Sequence, residues 1–361
     1  MAKFCIFCGN KPQNKNMEHV IPQWLIKMTG GLSRPCHLPN IAPNGQSVAF
    51  GAFKFPACEK CNSEFSVMEA RIKPIVIKVL ESQPLNATEI SLLLDWFDKV
   101  RIGVWLGDIY MSRTVDDIDP HMHIASRTGL KDRMLIVERV DSSVPGRDKC
   151  INFCGPGSFQ FRHLPSVLQM HINNYTFTSV SDYCLVARRV GFPYCDKMLR
   201  YDMEDVRLNT IQKGKNKIQT PVVRTYTPTR YQTVIYQPIY KYWNVVSPDL
   251  YNTQYVLNHS LDTQNGIGGI FYQKNASPTK YLDTKSTLNL TPPISNLDMY
   301  DMGLKYFDLH DYITQNTYIN CCPDTEIHES IDKMNKYILE CNRKNREYWL
   351  ATQRAYRANQ R

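Results

Sequence analysis

The sequence lacks any hydrophobic run of about 18 residues, the minimum length of a membrane-spanning helix. Its amino terminus also lacks the apolar segment and small-residue cleavage site of a secretory signal. It contains no low-complexity tract and no internal repeat of fixed period, which excludes repeat architectures. We therefore expect a soluble, cytoplasmic, globular protein with no membrane association.

The twelve cysteines lack the pattern of a disulfide framework, because such frameworks belong to short secreted chains and this chain has 361 residues. Four of them form two Cys-x-x-Cys pairs, and the others are scattered. Metal binding is the better interpretation of the pairs. The apolar fraction of 43%, with 21% charged residues, is typical of a folded protein and excludes wholesale disorder.

Three parts of the chain differ in composition. Because a domain usually contains roughly 100–200 residues, the length of 361 residues predicts more than one domain. Residues 1–82 contain the cysteine pairs, and residues 83–205 contain a hydrophobic helix followed by β-rich segments. Residues 206–361 form a basic, tyrosine-rich region that ends in a basic amphipathic helix. The predicted fold class is α+β, with mixed, β-rich α/β structure in the middle and a C-terminal helix.

Acidic residues are absent from positions 206–247, which contain seven lysines or arginines. The aromatic residues interleaved there are Tyr226, Tyr231, Tyr236, Tyr240, Tyr242 and Trp243. Basic side chains neutralise phosphates and aromatic rings stack on bases, so this stretch favours nucleic acid as the partner, as does the net charge of +9. The alternative is that individual tyrosines are core residues of strands.

Three helices are predicted with some detail. One begins at Ser63, and Pro74 should end or kink it. The next has Thr88 as its N-cap, and apolar residues on most of its faces predict that it is buried. The last is capped by Asp324 or Thr325 and becomes strongly basic towards its end, where the alternatives are a disordered tail or a partner-binding helix. A homo-oligomer or a regulatory partner is left open.

The two cysteine pairs predict a structural zinc site formed by Cys5, Cys8, Cys58 and Cys61. Two intervening residues let one tight turn present both sulfurs of a pair to a tetrahedral ion. Coincidence or a redox dithiol is the alternative, but the βαβ context of a redox motif is missing. Zinc would supply folding energy that a small module cannot obtain from its core.

Between the pairs stands the run Glu18-His19-Val-Ile-Pro22, and Asn62 directly follows the last zinc cysteine. The combination C-x-x-C, EH-x-x-P, C-x-x-C-N resembles HNH endonucleases of the zinc-containing ββα-metal, treble-clef type. The resemblance covers residues 5 to about 75, one fifth of the chain. It implies an N-terminal zinc-bound ββα-metal module within the α+β fold.

The resemblance also implies a role for each matching residue. His19 would be the general base that deprotonates the attacking water, a task that suits an imidazole near neutral pH. Glu18 and Asn62 would hold one catalytic divalent ion, and their oxygen donors imply Mg²⁺ or Mn²⁺. The implied activity is hydrolysis of phosphodiester bonds in DNA, with 3′-hydroxyl and 5′-phosphate products.

The sequence departs from the family pattern at the middle Asn of the motif name. Phe53 stands there, nine residues before the last metal ligand, and Asn40 or Asn44 is a candidate replacement. Ser66 is a poor ligand at a position where some members have a third one, and Glu69 lies one turn further along. Two other functions therefore stay open: a non-catalytic zinc-containing nucleic-acid-binding protein, and a signal-gated effector nuclease of a defence system.

One further pair of candidate ligands, Cys36-His37, lies in the 38 residues between His19 and Cys58. Such a pair is more often an ordinary loop or core feature than a metal site.

Overall fold

A computed structural model describes residues 4–12, 16–36, 48–111, 120, 122–141, 149–156, 158–182, 185–192, 194–200, 206–212, 229–241, 254–316 and 325–358. Helices and mainly antiparallel sheets confirm the α+β class, and a C-terminal helix is present. The helices are α1 (Gln23–Met28), α2 (Glu59–Leu80), α3 (Ala87–Met111), α4 (Ile124–Arg127), α5 (Phe159–His163), α6 (Leu185–Val190), α7 (Gln254–Asn258), α8 (Met299–Asn316) and α9 (Thr325–Ala358). The strands are β1 (Asn16–His19), β2 (Pro35–Cys36), β3 (Val48–Ala49), β4 (Lys54–Ala57), β5 (Leu85–Asn86), β6 (Asp132–Val140), β7 (Ile151–Cys154), β8 (Val167–Ile172), β9 (Tyr175–Asp182), β10 (Tyr194–Arg200), β11 (Val206–Gln212), β12 (Gln232–Gln237), β13 (Ser260–Asp262), β14 (Ile267–Gly268), β15 (Phe271–Lys274), β16 (Lys280–Tyr281), β17 (Thr287–Leu288) and β18 (Ile294–Ser295).

The N-terminal part consists of a strand pair followed by a helix. Strands β1 and β4 pair antiparallel, with Glu18 opposite Phe55 and His19 opposite Lys54. Helix α2 begins directly after β4, with Cys58 as its N-cap residue. The strand that contains Glu18 and His19 therefore pairs with the strand that leads into Cys58 and α2.

Helix α2 differs from the sequence prediction at both ends. It begins at Glu59, four residues before Ser63, and it continues through Pro74 to Leu80, so of the two predicted effects of Pro74, an end or a kink, the end does not occur. A proline removes one backbone hydrogen bond, but the buried side chains of Ile72 and Val76, on either side of it, hold both segments against the core. Packing therefore maintains the helix across this position.

Helix α3 is almost completely buried, as predicted. Its cap is Asn86 and not Thr88: the Asn86 side-chain oxygen accepts a hydrogen bond from the Glu89 N–H, and the Glu89 carboxylate accepts one from the Asn86 N–H. This reciprocal arrangement is a capping box. Its N-cap stands two residues earlier than expected.

The main sheet has eight strands, in the order β16-β15-β12-β6-β9-β8-β7, with β18 parallel to the end of β6. Strand β6 carries core residues on both faces: Leu135 and Val137 belong to the cluster that contains α2 and α3, and Met134 and Ile136 belong to the cluster with α6 and α8. The sheet therefore lies between two helical layers, which explains its nearly continuous hydrophobic strands.

The sheet takes strands from both sides of the expected boundary at position 205, because β12 lies between β6 and β15. Strand pairing thus marks no division there, and the three-part domain organisation stays a prediction. No described helix is both long enough and apolar enough to cross a membrane.

Two tyrosines of the basic stretch are core residues. Tyr236 and Tyr240 are 1% and 2% exposed, so neither ring is available to stack on a base. These two tyrosines are therefore core residues, which was the alternative to a role in nucleic-acid binding. Tyr226, Tyr242 and Trp243 lie outside the described residues.

The basic end of the chain is helical through Ala358, in the C-terminal helix α9. Several of its arginines pair with acidic residues of α8 and of the turn before it. Arg346 binds Asp308 and Asp311 at 2.9 Å, and Arg357 binds Asp298 at 2.9 Å. Part of the positive charge of this helix is therefore neutralised by ion pairs within the protein.

A buried histidine gives the fold a predicted pH dependence. His310, in α8, donates from Nε2 to the Leu164 carbonyl at 3.0 Å, and its Nδ1 has no hydrogen-bond partner in the described part of the chain. Burial lowers the pKa of His310 from 6.5 to about 4, although the carboxylates of Asp311 and Asp182 favour the charged form. The native state therefore holds this imidazole neutral.

Below pH 6.5 His310 becomes protonated in the unfolded chain, whereas in the native protein it stays neutral down to about pH 4. The free energy of unfolding of the wild type, relative to His310→Gln, should therefore fall by about 3 kcal/mol over that interval. Denaturant unfolding of both proteins from pH 7 to pH 4 measures this difference. A difference that stays constant over the series contradicts the prediction.

Candidate metal centre and active site

The four cysteines of the two pairs form one cluster that could hold a metal ion. The Sγ atoms of Cys5, Cys8, Cys58 and Cys61 all lie within 4.8 Å of one another, and Cys8 and Cys58 Sγ are 3.9 Å apart. Zinc–sulfur bonds of about 2.3 Å in a tetrahedron place sulfurs about 3.8 Å apart, so the cluster has suitable dimensions. The donor set fits zinc.

Backbone hydrogen bonds favour the thiolate form of one cluster member. Burial opposes ionisation of Cys5, but hydrogen bonds from the backbone of Cys58, Cys8 and Phe7 outweigh it and lower the pKa of this thiol. The Cys58 N–H contributes one of them, at 3.2 Å from Cys5 Sγ. In contrast, burial and the neighbouring sulfurs raise the pKa of Cys61 to about 12. Four adjacent thiolates need a cation to balance their charge.

His19 lies at the end of β1 with both ring nitrogens engaged. Its Nε2 lies 3.2 Å from the Gly51 carbonyl oxygen, and its Nδ1 lies 3.3 Å from the side-chain nitrogen of Gln23. A carbonyl only accepts, so Nε2 carries the proton and Nδ1 presents its lone pair, which the Gln23 amide fits as a donor. The two contacts thus select the tautomer with the proton on Nε2 and leave Nδ1 as the basic atom.

Glu18 points away from His19, as expected for neighbours on a strand. Its Oε1 lies 3.1 Å from Nζ of Lys99, and the same ammonium group binds Oε1 of Glu69. The Lys99 side chain is 1% exposed, whereas the two carboxylates are 16% and 18% exposed. Burial raises the pKa of Glu69, Lys99 opposes the rise, and Glu18 adds to it.

Asn62 lies in the first turn of α2 and is half-buried. Its backbone N–H donates to the Cys58 carbonyl at 2.9 Å, and its side chain has no hydrogen bond within the described residues. Glu69 lies seven residues further, on the same face of the helix. Lys99 therefore donates hydrogen bonds to both Glu18 and Glu69, and no hydrogen bond joins Glu18 to His19 or Asn62 among the described residues.

Phe53, at the position of the family's Asn, is a core residue. It is 1% exposed, packs edge-on against Phe55 with ring centroids 5.2 Å apart, and its N–H closes a 3-10 turn over Phe50–Ala52 by binding the Phe50 carbonyl. That turn contains Gly51, whose carbonyl binds His19. A buried aromatic anchor therefore holds the loop where the family uses an amide. Asn40 and Asn44 lie outside the described residues.

Helix α3 contacts this anchor at Gly107. A Cβ atom there would lie 2.7 Å from Phe53 Cζ and 2.9 Å from Phe55 Cε2. Gly107→Ala should therefore destabilise the protein by about 1–3 kcal/mol, more than the roughly 1 kcal/mol that alanine gains in a helix. Thermal unfolding measures the change, and Gly107→Ala combined with Phe53→Leu should recover part of it. Wild-type stability in the single variant contradicts the close contact.

Cys36 does not belong to the metal cluster. It is buried in β2, where burial raises the pKa of its thiol to about 12, and the group of potential metal ligands among the described residues consists of Cys5, Cys8, Cys58 and Cys61 without it. His37 lies outside the described residues. Cys36 is therefore a core residue, as such pairs usually are.

No model of a known protein family matches the chain, and no curated protein or solved structure is significantly similar to it. The resemblance to HNH endonucleases depends on the motif residues of the N-terminal part.

Sequence reasoning missed Lys99 as a member of the site. It lies on α3, outside residues 1–82, and its partners are 81 and 30 positions away in the chain. A signal for it existed, because a lysine in a helix that is buried on most faces needs a charged partner. The sequence did not indicate which residues would supply that partner.

Proposed function

We propose that the protein is a metal-dependent HNH-type endonuclease that hydrolyses phosphodiester bonds in DNA. The observation that carries the proposal is His19, whose ring is oriented by the Gly51 carbonyl so that Nδ1 is the basic atom. Its strand pairs with β4, which leads into α2 and the cysteine cluster. Glu18 supplies a carboxylate and Asn62 an amide, and an oriented imidazole base, a carboxylate and an amide are the groups that a metal-assisted hydrolase needs.

The cysteine cluster would bind structural zinc and hold the start of α2 against the first Cys-x-x-Cys turn. The Glu18 carboxylate and the Asn62 amide oxygen are donors that suit Mg²⁺ or Mn²⁺. When bound, such an ion stabilises the negative charge that develops on the departing 3′ oxygen.

The chain's own residues would perform the proton transfer. Nδ1 of His19 accepts a proton from a water molecule, whose oxygen then bonds to phosphorus while the bond from phosphorus to the 3′ oxygen breaks. Gln23, which donates to Nδ1 and is exposed, yields that position to the water. The positive end of the α2 dipole, where Asn62 lies, favours the phosphate. The departing 3′ oxygen takes a proton from solvent, so the products are 5′-phosphate and 3′-hydroxyl ends.

The test is incubation of supercoiled plasmid with the zinc-loaded protein, with and without added Mg²⁺ or Mn²⁺. We expect nicked and linear DNA only with an added ion, and ends that DNA ligase rejoins. Met17→Ala, an exposed neighbour on the same strand, serves as the control and should cleave normally. Absence of cleavage with every ion refutes the proposal.

One observation favours a second candidate, a zinc-containing nucleic-acid-binding protein without catalysis. Phe53 places a buried ring where the family has its structural Asn. This candidate predicts salt-sensitive DNA binding that survives His19→Ala, together with no cleavage under any ion.

A further inference from the structure

Lys99 is the one described residue of α3 that binds a residue of the motif through a charge. Its side chain is 1% exposed, and its Nζ contacts Oε1 of Glu18 at 3.1 Å and Oε1 of Glu69. It also lies 5.9 Å from the centre of the Phe7 ring, which stacks on Phe65 of α2 at 4.2 Å. The ammonium group is therefore fixed on several sides, and burying it requires the charges that contact it.

Lys99, Glu18 and Glu69 together carry an excess of negative charge. Two carboxylates and one ammonium sum to a single negative charge, so Glu69 can neutralise Lys99 while Glu18 keeps its own charge. Each carboxylate uses one oxygen, Oε1, on the lysine. Both carboxylates are more exposed than the ammonium group, which lies beneath them.

We propose that Lys99 is a positioning residue of the catalytic centre: it fixes Glu18 through one oxygen and, neutralised by Glu69, leaves the other oxygen for a divalent cation. The proposal rests on the proposed function, in which Glu18 is a metal ligand. Carboxylates that bind metals are commonly oriented in this way by hydrogen bonds from residues behind them. The centre would then be complete only when α3 packs against the N-terminal hairpin.

Lys99→Met tests the proposal, because methionine matches the length of the side chain without its charge. In the zinc-loaded full-length protein, we expect the dissociation constant for Mn²⁺, measured by the electron paramagnetic resonance of the free ion, to rise about 10- to 100-fold. Lys99→Arg, which keeps the charge, should recover part of the affinity. Zinc content of one ion per chain checks that each variant is folded.

Lys78→Met is a matched control. Lys78 on α2 binds Glu89 on α3 at 2.6 Å, so this pair joins the same two helices without involving Glu18. Its removal should leave the Mn²⁺ affinity unchanged. A merely structural role of Lys99 predicts that Lys99→Met lowers the stability but leaves the Mn²⁺ affinity of the folded protein unchanged.

Glu69→Gln keeps the proposal testable if Lys99→Met does not fold. It leaves the lysine charge unbalanced beside Glu18, so Mn²⁺ binding should weaken. In the double variant with Lys99→Met, the effect of Glu69→Gln should disappear, whereas an effect that persists identifies Glu69 as a direct ligand and overturns its assigned role.

Unchanged or tighter Mn²⁺ binding by folded Lys99→Met overturns the proposal, and tighter binding means that the ammonium competes with the ion. A wild type that binds no Mn²⁺ overturns it as well. Failure of the proposed function is distinct: a protein whose Mn²⁺ affinity depends on Lys99 but which cleaves no DNA supports the role of Lys99 and refutes the nuclease.

Discussion

Replacing Cys58 with serine is expected to abolish zinc binding and to unfold the strand pair and the start of α2. Cys58 is the N-cap residue of α2, and its N–H donates to the sulfur of Cys5, so it links both cysteine pairs. Cys5 and its neighbours Ile6 and Phe7 belong to the same core as α3. Structural zinc supplies roughly 10–16 kcal/mol to the folding of small zinc-binding peptides, so loss of the ion should lower the free energy of unfolding by several kcal/mol.

Elemental analysis should give one zinc per wild-type chain and none in Cys58→Ser, with a large fall in melting temperature. Cys36→Ala is the matched control, because it removes a buried thiol outside the cluster and should keep one zinc per chain. A wild type purified without zinc that also takes up none would contradict the assignment of the cluster. So would a Cys58→Ser protein that retains the ion.

His19→Ala is expected to reduce the DNA cleavage rate by about 10²- to 10⁴-fold, the usual contribution of a general base. The side chain is half-buried and makes two hydrogen bonds, to Gly51 and Gln23, so its loss should change stability only slightly. The effect should therefore fall on the rate, because the zinc cluster and the Glu18 group do not involve the imidazole.

Three measurements separate this effect from misfolding. Zinc content and melting temperature of His19→Ala should match those of the wild type, and its affinity for DNA should be retained. Gln23→Ala removes the donor to Nδ1 and keeps the Gly51 contact, so it should preserve cleavage. If Gln23→Ala and His19→Ala lose equal activity, Gln23 is itself required for cleavage, which contradicts its displacement by the attacking water.

The cysteine cluster was predictable because its chemistry is local. Each pair needs one turn, and four thiols in a short region have few arrangements other than a metal site. Neighbours on a strand point to opposite faces, and the structure has Glu18 on Lys99 and His19 on Gly51. Both could meet one phosphate only if the strand bends or ends there, and that convergence stays a prediction.

The partners of these two residues could not be predicted from the sequence. Lys99 reaches Glu18 across 81 positions, and only the packing of α3 on α2 brings them together. Phe53 was identified as a departure from the family, but its role as a buried anchor depends on Gly107, which allows the ring to approach the helix. Both contacts are products of tertiary packing, which motif spacing does not describe.

Tertiary packing also explains why the helix ends and the strand order could not be predicted from the sequence. Pro74 was predicted to end or kink its helix, and the helix continues through it, because buried residues on both sides outweigh one lost hydrogen bond. Asn86 replaced Thr88 as the cap because Glu89 completes a reciprocal pair with it. The pairing of β12 with β6 joins residues about a hundred positions apart, beyond the reach of local periodicity.

The central claim is tested most directly by plasmid cleavage with wild-type protein and His19→Ala, prepared with equal zinc content and assayed side by side in Mn²⁺. We expect nicking by the wild type and a rate at least about 100-fold lower in the variant. Equal rates in the two proteins would show that the cleavage does not come from this site, and no cleavage by either would refute the nuclease assignment.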